Sequence, residues 1–246
     1  KYLLILNNRF MINRLLKFLD ASPVNFLAAR NIACELEQNG YRCLDPQQPL
    51  GELKAGDKVY VTKNDSSVYA FRLGRKPLAE TGFHMICAHS DSPTFRVKPH
   101  AEMMMHVRRP LLQISNLAIH FNRQVNDGVK LSKQKDMLPL LGLINDELEQ
   151  GNLLMNVIVE ELSKQRPVSH EDILDFDLYL ADTQPACTFR VHDEFISSGR
   201  LDDLSMCFAG LEALIAAPES DTTQVLAIFD NEETGSQTKQ GAGSPF

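Results

Sequence analysis

The run Phe229-Asp230-Asn231-Glu232-Glu233-Thr234-Gly235-Ser236 places two adjacent carboxylates directly behind an apolar segment, Gln224 to Phe229. Neighbouring glutamates repel each other unless a cation or a shared proton compensates. A second run, Gly82 to Pro93, ends another apolar segment in His89-Ser90-Asp91. A third, Ser198-Gly199-Arg200-Leu201-Asp202-Asp203-Leu204, offers a carboxylate just ahead of an apolar helical pattern. Imidazole, single carboxylate and carboxylate pair are the nitrogen and oxygen donors that a site for two divalent ions requires, one of them able to bridge.

If the three runs converge, His89 binds one ion through a ring nitrogen, and Asp91 hydrogen-bonds the other nitrogen to fix its tautomer. Asp202 bridges two ions set roughly 3.5–4 Å apart, and Glu233 holds the second. Glu232 stays off the metals, takes a proton from the attacking water and later delivers it to a leaving amine. Each signal has a plainer reading. Glu232 and Glu233 can form a surface turn, and His89 can be a packed histidine. Asp91 can be a turn-former, and Asp202 a helix cap. Asp203 reads as a first-turn acid. The other six histidines have no comparable context.

These residues must be positioned by the elements around them. Val225 to Phe229 and Phe83 to Ala88 are short and apolar enough to be buried strands, and open α/β sheets collect ligands beyond the carboxyl ends of such strands. Leu204, Cys207, Phe208, Leu211, Leu214 and Ile215 recur at helical spacing, predicting a helix from about Asp203 to Pro218. Upstream, helices are predicted over 10–20 and from Ser22-Pro23 to Asn39-Gly40, with loop over 44–57. Val59–Val61 and Val68–Leu73 read as paired strands around Lys63–Ser66. The middle of the chain reads as β-rich. Strand patterns are expected at Leu111–Ile114, Leu117–Phe121, Val157–Val159 and Ile173–Leu180, with a helix over Leu138–Leu148.

A chain of 246 residues with 43% apolar content can bury a core, and its net charge of −7 argues against nucleic acid and anionic membrane as partners. No apolar run is long enough to span a bilayer. The five cysteines show no Cys-x-x-Cys spacing, so buried free thiols in a cytoplasmic protein are expected.

Taken in order, the three strings closely resemble the aspartyl aminopeptidase family of dinuclear zinc exopeptidases. Supporting matches are Arg96-Val97-Lys98-Pro99, Phe18 to Pro23, Asn116 to His120 with Asn126-Asp127-Gly128, and Asp175 to Tyr179. The resemblance runs from about Met11 to Phe246. It implies release of single N-terminal residues, often acidic, from peptides, two zinc ions per subunit, and a tetrahedral homododecamer. It also implies an α/β catalytic domain (11–98 and 185–246) interrupted by a β-rich oligomerisation domain (99–184). Carried over, His89, Asp202 and Glu233 are metal ligands, Glu232 is the general base and Asp91 orients His89.

The departures set further expectations. Residues 1–10 match nothing in the family pattern, and Met11 is the expected start. Leu27 stands where the family commonly has histidine, and Asp203 where it has asparagine. A Tyr-Gly-Gly and Asp-Arg stretch is missing between Lys98 and Arg108. The family's remaining aspartate and histidine ligands lie beyond Phe246, so this chain alone is expected to be inactive. Rival readings are a related dinuclear carboxypeptidase or deacylase, an assembly protein that has lost its metals, and a plain α/β binding domain.

Overall fold

The structure is a computed structural model that describes residues 2–49, 51–94, 96–97, 103–143 and 152–245. It divides into two compact units, Lys1–Arg96 with Tyr179–Phe246, and Val97–Leu178.

The first unit is built on a mixed five-stranded sheet and three long helices, with a single helical turn at Leu78–Thr81 besides. In chain order these are α1 (Tyr2–Ala21), α2 (Asn25–Gln38), β1 (Arg42–Cys43), β2 (Lys58–Lys63), β3 (Ser67–Arg72), β4 (Phe83–His89), α3 (Leu201–Ala216) and β5 (Thr223–Phe229). The strand order is β1-β2-β3-β5-β4. β4 runs parallel to β5 with His89 opposite Phe229, and β3 is antiparallel to both β2 and β5.

The helices pack on the sheet face that carries Tyr60, Val68, Ala70, Ala88, Leu226 and Ile228, where Leu19, Ile32, Leu36, Leu204 and Leu211 close the core. Val225, Leu226, Ala227 and Ile228 are all buried, which is why β5 reads as a continuous apolar run rather than an alternating one. Gly210 lets α3 approach closely: a Cβ there would lie 2.7 Å from Leu226 Cδ1 and 3.1 Å from Ile86 Cγ2.

Local chemistry explains most boundaries. No glycine or proline interrupts residues 2–21, so α1 extends further towards the N-terminus than the predicted 10–20. Pro23 keeps the chain extended ahead of α2, which begins at Asn25 without a side-chain cap. Ser22, the predicted start of that helix, lies outside it, buried, and accepts a hydrogen bond from Asn31 Nδ2 at 3.0 Å. Asn64 and Asp65 take the positive φ angles that the β2–β3 turn requires. No described helix is long and apolar enough to cross a membrane.

The second unit departs from its sequence pattern. Val157–Val159, predicted as strand, lies inside a helix spanning Leu153–Ser163, where Asn152 Oδ1 accepts from the Met155 N–H at 3.2 Å. The cap and the buried Val157, Ile158 and Leu162 face outweigh the β-branched propensity. Leu111–Ile114 and Leu117–Phe121 form no strand; the Gln113–Leu140 pair is an isolated bridge. Leu138–Leu143 is not helical, and the rest of that predicted helix lies outside the described residues. Of Ile173–Leu180, Leu178 and Tyr179 alone are strand. Regular strand is therefore sparse among the described residues of this unit. Many of its apolar side chains are exposed, Leu117, Phe121, Leu138 and Leu143 among them.

Candidate metal centre

The carboxyl ends of β4 and β5 lie side by side, so His89 and the turn after Phe229 emerge at one sheet edge. The first residues of α3 join them. Asp202 and Asp203 lie in a non-helical kink at the start of α3, and the peptide between them is cis.

His89 is the meeting point. Its Nδ1 lies 3.2 Å from the Asp91 carbonyl oxygen and 3.4 Å from Asp91 Oδ1. Its Nε2 faces Asp202 Oδ1 at 3.4 Å and Glu232 Oε2 at 3.7 Å. The imidazole is largely buried (14% exposed), whereas the Asp202 and Glu232 side chains are open (87% and 55%). A protonated Nδ1 held by Asp91 leaves the Nε2 lone pair free on the open side.

Asp91 does more than orient that ring. Its Oδ1 and Oδ2 accept the backbone N–H groups of Glu232 and Glu233, each at 3.1 Å. One carboxylate thus staples the β4 end to a 3-10 turn spanning Glu232–Thr234. The turn is entered through Asn231 in the left-handed region (φ 61), which asparagine tolerates. Nothing in the His-x-Asp spacing announces this second task.

Two further residues reach the same loop end, and the first of them corrects the sequence reading. Asp203 is not merely a first-turn acid, because its Oδ2 accepts the His89 N–H at 3.1 Å. Burial pushes its carboxyl above the usual range, with the charges of Asp202 and Glu232 adding, against the hydrogen bond from His89. Buried Cys207 donates its thiol to the His89 carbonyl at 3.0 Å, and burial pushes that thiol up. The main chain of His89 is therefore anchored to α3 on both sides. The other four cysteines are free but exposed, contrary to the expectation of buried thiols.

The donor set can be tested against a divalent ion. Two ligands about 2.0–2.1 Å from a tetrahedral zinc ion stand about 3.3 Å apart. The 3.4 Å between His89 Nε2 and Asp202 Oδ1 fits that requirement. Among the described residues, however, no three histidine, cysteine or acidic side chains are gathered into one metal-holding cluster. Glu233 is brought to the same turn by its backbone, without completing such a set.

Comparison with known proteins gives a consistent picture. The family model for aminopeptidase I zinc metalloproteases (M18) matches residues 18–106 and 100–246. The chain is similar to the probable M18 family aminopeptidase 2 of Clostridium acetobutylicum, with 39% identity over 279 positions, 95% of this chain and 63% of the relative. It spans less than two thirds of that relative's length. The alignment is longer than the chain itself, so the relative carries residues inside the matched span that this chain lacks. Among solved structures, the chain is similar to one in the cryo-EM structure of the Ape4 and Nbr1 complex, with TM-score 0.88 and 28% identity over 96% of this chain and 57% of that one. The Saccharomyces cerevisiae mApe1 dodecamer, at TM-score 0.74 and 20% identity over 96% and 64%, shares the fold.

Proposed function

Because this chain belongs to the aminopeptidase I zinc metalloprotease (M18) family, we propose that the whole protein is a metal-dependent aminopeptidase releasing single N-terminal residues from peptides. The observation that carries the reading is the convergence at His89, where a largely buried imidazole turns Nε2 towards Asp202 and Glu232 at an open sheet edge. Nucleic acid is a poor partner for a chain of net charge −7.

His89, Asp202 and Glu233 are the residues that would hold the divalent ions, two per subunit and zinc in this reading. The relatives' additional length leaves room for further donors. When bound, the ions polarise the scissile carbonyl and make water more acidic. Asp91 keeps the His89 proton on Nδ1, and so keeps Nε2 available as a ligand. Glu232, half-exposed beside that nitrogen, accepts the proton of the attacking water as the new C–O bond forms. The same carboxyl returns the proton to the leaving nitrogen as the C–N bond breaks. Acidic N-terminal residues are the proposed preference, on the family resemblance alone.

The exposed apolar side chains of the second unit support a homo-oligomer in which residues 99–184 form the contacts, a dodecamer in the resemblance. Residues 11–98 and 185–246 then form the catalytic domain. Five free thiols support a cytoplasmic setting.

The lack of a three-donor cluster among the described residues favours one rival, an assembly protein without metals. Metal stoichiometry measured beside turnover of Asp-, Glu- and Leu-terminated chromogenic substrates separates the two. Two ions per chain and Glu232-dependent turnover in the full-length protein support the enzyme. A full-length protein that binds no metal and turns nothing over leaves the assembly reading.

A further inference from the structure

We infer that Asn25 is a positioning residue for Glu232 and Glu233, acting through the buried carboxylate of Asp230. Asp230 follows β5 directly and is 1% exposed. A buried carboxylate is costly unless donors surround it. The Asn25 Nδ2 group donates to Oδ1 at 2.9 Å and to Oδ2 at 3.0 Å, and the Asn231 N–H donates to Oδ1 at 2.8 Å. The amide orientation is fixed by chemistry, since a flipped Asn25 would set its carbonyl oxygen against a carboxylate.

The tether joins elements 205 positions apart. Asn25 opens α2, while Asp230 immediately precedes the left-handed Asn231 that starts the glutamate turn. On its other side, the Asp230 N–H donates to the Gln240 carbonyl at 3.2 Å, so residue 230 is fixed through side chain and main chain alike. With residue 230 fixed, Asn231 aims the N–H groups of Glu232 and Glu233 at Asp91, and Asp91 faces His89 Nδ1. A chain of contacts therefore runs from the start of α2 to the ring that faces Asp202. A neutral amide suits this place better than lysine or arginine. It satisfies both carboxylate oxygens without adding a cation that would repel metal ions from the neighbouring donors.

The catalytic half of this inference rests on the aminopeptidase reading; the tether itself does not. The test uses the full-length protein as wild type, Asn25→Ala, and the exchanged pair Asn25→Asp with Asp230→Asn, which reverses the donor and the acceptor. Three quantities are read: hydrogen exchange of residues 231–235, Co²⁺ affinity from d–d absorption, and kcat and KM separately. Asn25→Ala is expected to speed exchange at Glu232 and Glu233 tenfold or more. It should also weaken Co²⁺ binding about tenfold, the low end for outer contacts of a metal site, and lower kcat more than KM. The exchanged pair is expected to recover most of each loss.

An Asn25→Ala protein that melts earlier but keeps wild-type Co²⁺ affinity and kcat has lost only a structural contact, and overturns the positioning role. Unchanged exchange at 231–235 overturns the tether whatever the metal does. A wild type that binds no Co²⁺ overturns the aminopeptidase reading and the catalytic half with it, while the exchange measurement still judges the tether.

Discussion

Replacing Asp91 by asparagine changes one atom of shape and most of the local hydrogen bonding. In the native protein Oδ1 serves the Glu232 N–H at 3.1 Å and faces His89 Nδ1 at 3.4 Å, while Oδ2 serves the Glu233 N–H at 3.1 Å. Asparagine offers one acceptor and one donor. With its oxygen towards Glu232, its NH₂ meets the Glu233 N–H, donor against donor. With the group reversed, the NH₂ faces His89 Nδ1, draws the ring proton to Nε2 and blocks the lone pair proposed to bind metal. Losing a bond to a charged acceptor costs about 1.5–3 kcal/mol, and a stranded N–H adds to that. At 12% exposure the Asp91 side chain has little water to compensate. A penalty of about 2–4 kcal/mol on closing the 230–235 turn follows, equivalent to roughly 30- to 700-fold faster exchange at Glu232 and Glu233. Metal affinity should fall about 10- to 100-fold. Hydrogen exchange by mass spectrometry, with a Co²⁺ titration on the same samples, measures both. Asp91→Asn with wild-type protection at 231–235 and undiminished Co²⁺ affinity would refute the staple.

Further expectations concern single groups. Under the proposed mechanism, Glu232→Gln should lower turnover by about 10²–10⁴ while metal content holds, because it removes the proposed general base and spares the proposed ligands; inductively coupled plasma analysis beside the assay checks the split. Gly210→Ala should destabilise the first unit by about 1–3 kcal/mol, since the new methyl meets Leu226 and Ile86 at 2.7 and 3.1 Å; the denaturant midpoint reports it. Burial pushes the Tyr41 hydroxyl up to about 12 from 10.0, against a smaller pull from Arg72. The protonated form is favoured by folding, so its contribution is complete below about pH 10 and is lost as pH climbs towards about 12. Tyr41→Phe should flatten that decline in a pH series of unfolding midpoints, although Tyr60 and Tyr69, also pushed up by burial, will keep part of it.

Much of the first unit is legible in the sequence because its signals are local. The β5 run is apolar at every position and ends at an acidic turn, so strand and ligand edge are read together. The α3 periodicity survives in isolation, and so does the β2–β3 pairing around Asn64-Asp65. In the second unit, Val157-Ile158-Val159 misleads because β-branched residues are read by propensity, whereas the Asn152 cap and a buried face made them a helix. Leu111–Phe121 carries apolar residues of strand type, but a strand exists only through its partner, and among the described residues a single bridge to Leu140 is all it finds.

The sequence by itself determined the residue types of the candidate centre, His89, Asp91, Asp202, Glu232 and Glu233, and placed them at element ends, because residue chemistry and strand termination are written within a few neighbouring positions. The tertiary structure alone decided that Asp91 grips the glutamate turn, that Asp203 and Cys207 hold the His89 main chain, and that Asn25 reaches Asp230. Each of those bonds joins positions more than a hundred residues apart, and each buried polar atom takes whichever partner the packed chain brings within about 3 Å. No periodicity along the chain records that choice.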